Sequence, residues 1–402
     1  MLESISNMDI KNVVFLDDMF RQEYIHSRRF IYTVLSEPLR QVLNVEVPDT
    51  YNYPVKRGLI NDFDEDEFKR LAGSKKWHLI YNKINEEAEN YLISCFPSNV
   101  LIIGYEMPNW LLIILKKVNL NNFYWINIRM SPVRFCKDLN LVLQSNIDYN
   151  NNFKESYKLS ESEIKIEAGL IKAKILNSKF NLESLSEIKD NIVFIGQTKN
   201  DASLIEGDGK FLCVNDFKEK IIEICNNKKV YYKPHPYELE YMDEVNKLCD
   251  ILGQEIIIIN DDIYSILGTS NDLILVAISS GVTQEASFFN KKSYCLHIPV
   301  CTYNGIDDFH CRFHLFSSVG FWFDIFNVKN DNKSSIFVEN EMRNLHNAWF
   351  GYSDFILKYD SFRREEFHYF FSTERKVLMK KIRILYSIIF INLVLVFILW
   401  IK

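Results

Sequence analysis

The stretch from Leu273 to Ala286, LILVAISSGVTQEA, decides the fold, because an apolar run ends in two serines and a glycine and then becomes helical. A short apolar run of this kind indicates a strand buried on both faces of a parallel sheet. Similar runs recur through the second half of the chain, with helical patterns between them. This alternation predicts a doubly wound sheet with strands at Asn191–Gly196, Lys229–Lys233, Glu255–Asn260, Leu273–Ser279 and Ser293–Ile298.

The first half of the chain shows a weaker form of the same alternation. Its predicted strands are Asn12–Leu16, Asn99–Gly104 and Tyr124–Ile128, and its clearest helix is Pro108–Lys117. A chain of 402 residues fits two domains of ordinary size. We therefore predict an α/β protein with one Rossmann-like domain over residues 1–186 and a second over 187–345. No proline-rich linker separates the two, so we expect them to face each other across a cleft.

The C-terminus differs in composition from the rest of the chain. Ile384–Ile401 is almost entirely apolar and follows a basic segment that ends at Arg383. As a helix this segment would be about 27 Å long, close to the hydrocarbon thickness of a bilayer. Basic flanks favour the cytoplasmic side of a membrane. We predict a helical region at 346–383 and a membrane anchor at 384–401; a buried C-terminal helix is the alternative.

Composition excludes several functional classes. The net charge of −6 is small for this length, so nucleic acid is not an expected partner. The eight cysteines include no CxxC pair, which is typical of reduced thiols in a cytoplasmic protein. The N-terminus lacks the features of a signal peptide. Neither a Rossmann glycine fingerprint nor a P-loop is present, which disfavours dinucleotide oxidoreduction and ATP hydrolysis.

The segment Lys233-Pro234-His235-Pro236 follows a predicted strand. Its two prolines stiffen the turn and present His235 at the carboxyl end of that strand. A histidine in this position can donate a hydrogen bond to a phosphate oxygen. The alternative is a turn histidine that caps the following helix.

A second candidate lies where the opening stretch turns into a helix. The hydroxyl groups of Ser279 and Ser280, together with the N–H groups of the first helical turn, can bind an anion. Glu285 lies about one turn further on, where a carboxylate can accept hydrogen bonds from both hydroxyls of a ribose. One of the serines could instead be an ordinary N-cap.

The order of these motifs resembles the donor domain of bacterial GT-B glycosyltransferases that use CMP-activated acidic sugars, and most closely the retaining β-Kdo transferases of capsule and lipopolysaccharide synthesis. In that family a strand is followed by a GQ step and an aspartate, then by the KPHP strand and the serine pair. The resemblance covers residues 95–300. It implies that the CMP phosphate contacts His235, Ser279 and Ser280. Gln197, Lys233 and Glu285 complete the set of residues that we predict to bind the donor.

The resemblance also implies catalytic roles. Asp201, after the GQ step, corresponds to the proposed nucleophile of a double displacement with retention of configuration. The alternative is an aspartate that caps a turn. The implied function is transfer of Kdo, or a related 2-keto acidic sugar, from a CMP donor to a glycan or lipid-linked glycan at the cytoplasmic face of the bacterial inner membrane. The CMP-sugar is a substrate, and no cofactor is implied.

Three residues of the first half face the expected cleft. Glu106 follows a strand and is a candidate base for the acceptor hydroxyl, or an orienting residue; it could also be a helix cap. Arg129 and Arg134 lie beyond the next strand, where guanidinium groups suit the carboxylate of an acidic sugar. Either arginine could instead pair with Asp138.

Two alternative functions stay open. An inverting CMP-sialic acid transferase would share the phosphate site but use a carboxylate as a base, and a degenerate transferase could serve as a membrane scaffold. A metal site is not expected, because the candidate ligands lack a standard spacing: His297, His310, Cys311 and His314. The pairs Asp17-Asp18 and Asp261-Asp262 lack a DxD pattern and are expected to be surface or capping residues.

Overall fold

The computed structural model describes residues 8–21, 25–53, 57–60, 63–73, 76–177, 188–303, 305 and 308–327. Within these ranges, ten strands form two five-stranded sheets. The strands are β1 (Asn12–Phe15), β2 (Val100–Tyr105), β3 (Phe123–Met130), β4 (Asn140–Ser145), β5 (Ile192–Ile195), β6 (Val230–Lys233), β7 (Ile257–Ile258), β8 (Ile274–Ala277), β9 (Lys292–Cys295) and β10 (Phe309–Arg312).

The α-helices of the described ranges cover the faces of both sheets. They are α1 (Ile25–Leu43), α2 (Glu65–Ala72), α3 (Trp77–Ile80), α4 (Glu86–Ser94), α5 (Asn109–Lys117), α6 (Asn151–Tyr157), α7 (Glu161–Asn177), α8 (Lys218–Cys225), α9 (Met242–Leu252), α10 (Ile263–Gly268), α11 (Val282–Glu285) and α12 (Val319–Ile325). None of the described helices has the length and apolar character needed to cross a bilayer. The predicted helical region at 346–383 and the anchor at 384–401 lie outside the described residues.

The second sheet confirms the predicted doubly wound pattern. Its strand order is β7-β6-β5-β8-β9, and every neighbouring pair is parallel. Strand β5 lies in the middle, so the chain winds outward from it in both directions. The carboxyl ends of β5, β6 and β8 are therefore adjacent, and ligands of such sheets bind at this edge.

The first sheet differs from the Rossmann-like prediction. Its order is β1-β2-β3-β4-β10, with β1 to β3 parallel and β4 antiparallel to both of its neighbours. The connection from Ser131 to Leu139 is too short for the helical crossover that a parallel neighbour requires. It therefore returns the chain as an antiparallel strand.

The packing of three elements crosses the predicted domain bounds of 1–186 and 187–345. Helix α7 precedes the predicted boundary, yet its buried face packs in the core of the second sheet through Ile164, Ala168 and Ile171. Strand β10 and helix α12 follow that sheet, yet they return to the first sheet and its core. Both departures arise because apolar side chains pack across long sequence separations, which local patterns do not encode.

Helices α10 and α9 show why particular residue types begin and end a helix. Asp262 caps α10, accepting hydrogen bonds from the N–H groups of Tyr264 and Ser265, both at 2.9 Å. Helix α9 ends at Gly253, whose φ of +63° is a left-handed conformation that glycine adopts without strain. Asp262 is thus a capping aspartate, as expected.

Candidate active site

The GQ step at the end of β5 joins the two candidate phosphate-binding loops. The N–H of Gly196 donates to the carbonyl of Lys233 at 2.9 Å, on the histidine-bearing strand. On the other side, the N–H of Ser279 donates to Oε1 of Gln197 at 2.7 Å. The two loops therefore lie on either side of one short segment. Gln197 holds the serine loop in place, and its predicted contact with the donor stays a prediction.

The serine loop contains a buried hydroxyl group. Ser279 is 6% exposed, and among the described residues no group hydrogen-bonds to its Oγ. Leaving a buried hydroxyl unpaired is unfavourable, so its retention favours a ligand contact. Ser280 acts as a local cap, with its Oγ accepting from the N–H of Val282 at 3.4 Å. The two serines therefore have different roles.

The histidine loop sets the tautomer of His235. Its Nδ1 accepts a hydrogen bond from the N–H of Tyr237 at 3.2 Å. A backbone N–H only donates, so in the neutral ring the proton resides on Nε2. Burial lowers the pKa of His235 to about 4; Arg134 and Lys233 act in the same direction, and Asp201 and Glu238 oppose them. The ring is therefore neutral near pH 7 and has one N–H to donate.

Asp201 lies near His235 and also caps a turn. Its carboxylate accepts from the N–H of Ser203 at 2.8 Å, at the start of the short 3-10 helix Ala202–Leu204. Its charge acts on the titration of His235, which places the two groups in one electrostatic environment. The capping alternative is thus observed, and the catalytic role of Asp201 stays a prediction.

Lys233 lies at the carboxyl end of β6. Its Nζ donates to the carbonyl of Pro234 at 3.0 Å. Its positive charge contributes to the low pKa of His235. Lys233 therefore adds positive potential where the donor phosphate was predicted to bind.

Glu285 is buried and contacts the first half of the chain. It is 2% exposed, and its Oε1 accepts from the backbone N–H of Arg134 at 2.7 Å and from the Tyr264 hydroxyl at 3.3 Å. The carboxylate thus joins the second sheet to the loop that follows β3. Its contact with a ribose stays a prediction.

Arg129 and Arg134 have different surroundings. Arg134 is exposed, and its charge acts on His235. Arg129 is 7% exposed and donates to the carbonyl of Met107 at 2.7 Å and to the Tyr81 hydroxyl. Neither forms the alternative pair with Asp138, whose carboxylate binds the ring and the backbone of His314. Arg134 is therefore the arginine whose charge acts on the histidine loop.

Glu106 has an unusual backbone conformation at the end of β2. Its φ is +52°, a left-handed conformation that costs free energy for a residue other than glycine. Its N–H donates to the carbonyl of Ile128 at 2.7 Å, which fixes the turn. Its charge contributes to the electrostatic environment of Tyr81. Such strain favours a functional role over a simple helix cap.

Asp17 and Asp18 are buried, which corrects the expectation of a surface position, although Asp18 makes a local contact of the capping kind. Asp17 forms ion pairs with Arg57 at 3.3 Å and Arg28 at 3.5 Å. Asp18 accepts from the N–H of Phe20 at 3.0 Å, and burial raises its pKa to about 6. In the sequence, the only indication of this buried group of charges was the acidic pair Asp17-Asp18 shortly after β1.

Tyr81 was also missed by sequence reasoning. Burial raises its pKa, and the charges of Arg129, Glu106 and Asp18 act on it from the ends of three neighbouring strands. The phenol thus lies at the carboxyl edge of the first sheet. A lone tyrosine in a helical segment carries no signal that would have identified it.

The histidines near the end of the described chain have structural contacts. His310 has its Nε2 3.0 Å from the carbonyl oxygen of Thr302 and its Nδ1 3.2 Å from the Ser131 hydroxyl. His314 pairs with Asp138 at 2.7 Å. Within the described ranges, no group of three or more histidine, cysteine, aspartate or glutamate side chains is arranged to hold a metal ion.

Comparisons with known proteins give limited information. No family model matches the sequence, and no curated protein matches it significantly. Among solved structures, the chain is similar to "Thermosulfurimonas dismutans KpsC, beta Kdo 2,7 transferase", with 16% identity, 66% of this chain and 90% of that chain covered, and a TM-score of 0.34. It is also similar to "Thermosulfurimonas dismutans KpsC, beta Kdo 2,4 transferase", with 13% identity, 52% and 71% covered, and a TM-score of 0.30. Both TM-scores are low, and neither similarity establishes a family for this chain.

Proposed function

We propose that the protein is a metal-independent glycosyltransferase of GT-B organisation that moves Kdo, or a related 2-keto acidic sugar, from a CMP donor to a bacterial surface glycan. The observation that carries the proposal is the GQ step, which joins the loop of His235 to the loop of Ser279. One side supplies a neutral ring with an Nε2–H, and the other supplies a buried hydroxyl without a partner among the described residues. Two such donors suit the phosphate of a departing CMP.

These positions support the following chemistry. Asp201 attacks the anomeric carbon of the donor sugar, a carbon–oxygen bond forms to its carboxylate, and the bond to the CMP phosphate breaks. His235 and Ser279 donate hydrogen bonds to the leaving phosphate. An acceptor hydroxyl then displaces Asp201 and gives its proton to Glu106. Two displacements retain the configuration at the anomeric carbon.

The location of the reaction is part of the proposal. The acceptor is a glycan, free or lipid-linked, and the reaction takes place at the cytoplasmic face of the inner membrane. The apolar segment Ile384–Ile401 and the basic residues before it support this placement. Deleting residues 384–402 should move the protein from the membrane fraction to the soluble fraction without abolishing CMP release.

The direct test measures CMP release from CMP-Kdo and from CMP-sialic acid. The proposal predicts release from CMP-Kdo, loss of at least 100-fold in rate for His235→Ala, and normal release for Arg40→Gln, which changes an exposed arginine on α1. Mass spectrometry should detect a sugar adduct on Asp201. Release only from CMP-sialic acid, without an adduct and with inverted product, would support a sialyltransferase. A folded protein that neither binds CMP nor cleaves either donor would support a scaffold.

A further inference from the structure

A loop of the first half packs directly on the donor-binding helix. The loop runs from Ser131 to Arg134 after β3. The carbonyl oxygen of Pro132 lies 3.2 Å from the position that a Cβ at residue 281 would occupy, so the backbones approach closely at Gly281. The loop therefore meets the start of α11, immediately after the serine pair.

Glu285 fixes this loop by its backbone. Its Oε1 accepts from the N–H of Arg134 at 2.7 Å, while the Tyr264 hydroxyl, from the same half as Glu285, lies 3.3 Å from the same oxygen. The carboxylate is 2% exposed. Hydrogen bonds to a buried carboxylate are among the stronger ones in proteins. This contact therefore determines where the Arg134 backbone lies relative to the second sheet.

The other end of the loop is also held. The Ser131 hydroxyl oxygen accepts from the N–H of Val133 at 3.2 Å and lies 3.2 Å from Nδ1 of the buried His310. The exposed guanidinium of Arg134 is thus carried by a backbone that is fixed at both ends. Its charge acts on His235, across the boundary between the two halves.

We propose that Glu285 is a positioning residue that fixes the Arg134 loop against the donor site, so that Arg134 supplies the first half's positive charge to the donor phosphate. The proposal rests on the proposed function for the identity of the ligand. It replaces the ribose contact predicted for Glu285, and it moves Arg134 from the acceptor carboxylate to the donor phosphate. Glu285 acts through Arg134 and does not touch the nucleotide.

The first arm of the test measures CMP affinity and donor kinetics in the full chain. Arg134→Gln should weaken CMP binding about tenfold, the effect of losing one charge-assisted contact. Glu285→Leu should weaken it by a similar factor, and the double variant should be no weaker than either single variant. Glu285→Gln keeps an oxygen for the Arg134 N–H and should bind CMP nearly as the wild type does. Arg40→Gln is the charge control.

The second arm follows the titration of His235 by NMR and does not depend on activity. The charges that act on His235 are Arg134 and Lys233, which lower its pKa, and Asp201 and Glu238, which raise it. Removing a negative charge at position 285 would by itself lower the pKa of His235. If Glu285→Leu instead releases the Arg134 loop, the pKa of His235 should rise, as it should in Arg134→Gln.

The outcomes separate this inference from the proposed function. Wild-type affinity in Glu285→Leu, additive losses in the double variant, or a fall in the His235 pKa would overturn the positioning role. A wild type that does not bind CMP would overturn the proposed function, while the NMR arm would still decide whether Glu285 positions Arg134. If Glu285→Leu does not fold, Glu285→Asp shortens the side chain and tests the same contact, with the same direction of change expected for His235.

Discussion

Asp18 carries its carboxyl group in an environment that disfavours the charge. It is 3% exposed, and burial raises its pKa to about 6 although Arg28 and Arg21 favour ionisation and Asp17 opposes it. The folded protein therefore binds a proton more tightly at this residue than the unfolded chain does. The tighter binding of this proton stabilises the folded state. The contribution is fully present below a pH of about 3.8 and is lost as the pH rises through about 6.

Asp18→Asn tests this directly. An amide has no charge to desolvate and keeps an oxygen for the N–H of Phe20, so the variant should be more stable than the wild type at neutral pH. The expected gain is on the order of 2–3 kcal/mol, and it should disappear at acidic pH. Urea unfolding at several pH values measures both. Equal stability of the two proteins at neutral pH would contradict the raised pKa.

At the residue scale, the sequence predicted that His235 and Ser279 follow buried strands, and the structure places each of them two residues after the end of a strand, β6 and β8. The sequence did not predict the contact between Glu285 and Arg134, which are 151 positions apart in the chain. It also missed Tyr81, whose neighbours come from three different strands. Residues defined by their own strand end were predictable, and residues defined by a contact from the other half were not.

At the scale of single elements, the end of β5 depends on a residue without a side chain. A Cβ at Gly196 would lie 2.3 Å from the Tyr232 hydroxyl oxygen, which is itself held by Glu244. Even an alanine would displace either the tyrosine or the strand end. Because Gln197 follows immediately, a displaced strand end would also move the serine loop.

Gly196→Ala should therefore reduce stability by about 1–3 kcal/mol and weaken CMP binding as well. Gly169→Ala is the matched control, because no atom lies within 4 Å of a Cβ at that position on α7. Alanine there should raise stability by about 0.5–1 kcal/mol and leave CMP binding unchanged. Thermal unfolding and CMP titration of both variants provide the comparison. If Gly196→Ala is as stable as the wild type, the Tyr232 side chain can move aside without cost, and the close contact does not constrain the strand end.

The side chain and carbonyl of His235 determine the structure that precedes α9. This helix begins only at Met242, several residues after the KPHP segment. The N–H of Tyr237 donates to the His235 ring and that of Glu238 to the His235 carbonyl, so a turn forms before the helix. This turn sets the tautomer of the histidine. The turn that precedes α9 therefore has a consequence for the site.

At the scale of the whole molecule, the two halves touch at a turn of the second half. Gly209 has a φ of +86°, and a Cβ there would lie 2.6 Å from the Cα of Leu79 in the first half. Beside it, Nδ1 of His78 lies 2.8 Å from the carbonyl oxygen of Gly209. This close approach needs a residue without a side chain.

Gly209→Ala should separate the halves at this contact. We expect a loss of about 1–3 kcal/mol in stability and faster proteolysis near the turn. CMP affinity should fall less than in Gly196→Ala, because the binding loops themselves are unchanged. Gly207→Ala, with nothing within 4 Å of its Cβ, is the control. Identical proteolysis of Gly209→Ala and the wild type would contradict a close contact at this turn.

The sequence predicted two α/β units at this scale but not their limits. The apolar runs of β5, β6 and β8 were visible because each is continuous and buried on both faces. The return of β10 to the first sheet was not visible, because its pairing with β4 joins residues far apart in the chain. Local patterns identify strands, whereas the choice of partner depends on the assembled core.

Among the described residues, the chain crosses between the halves before α7 and again before β10. Hydrogen bonds join these two crossings. The N–H of Leu159, before α7, donates to the carbonyl of His310 on β10 at 2.8 Å, and the carbonyl of Leu159 accepts from the Tyr303 hydroxyl at 3.1 Å. The two crossings of the chain are therefore fastened side by side. A movement of one half relative to the other would have to bend the chain at these crossings or break the hydrogen bonds between them.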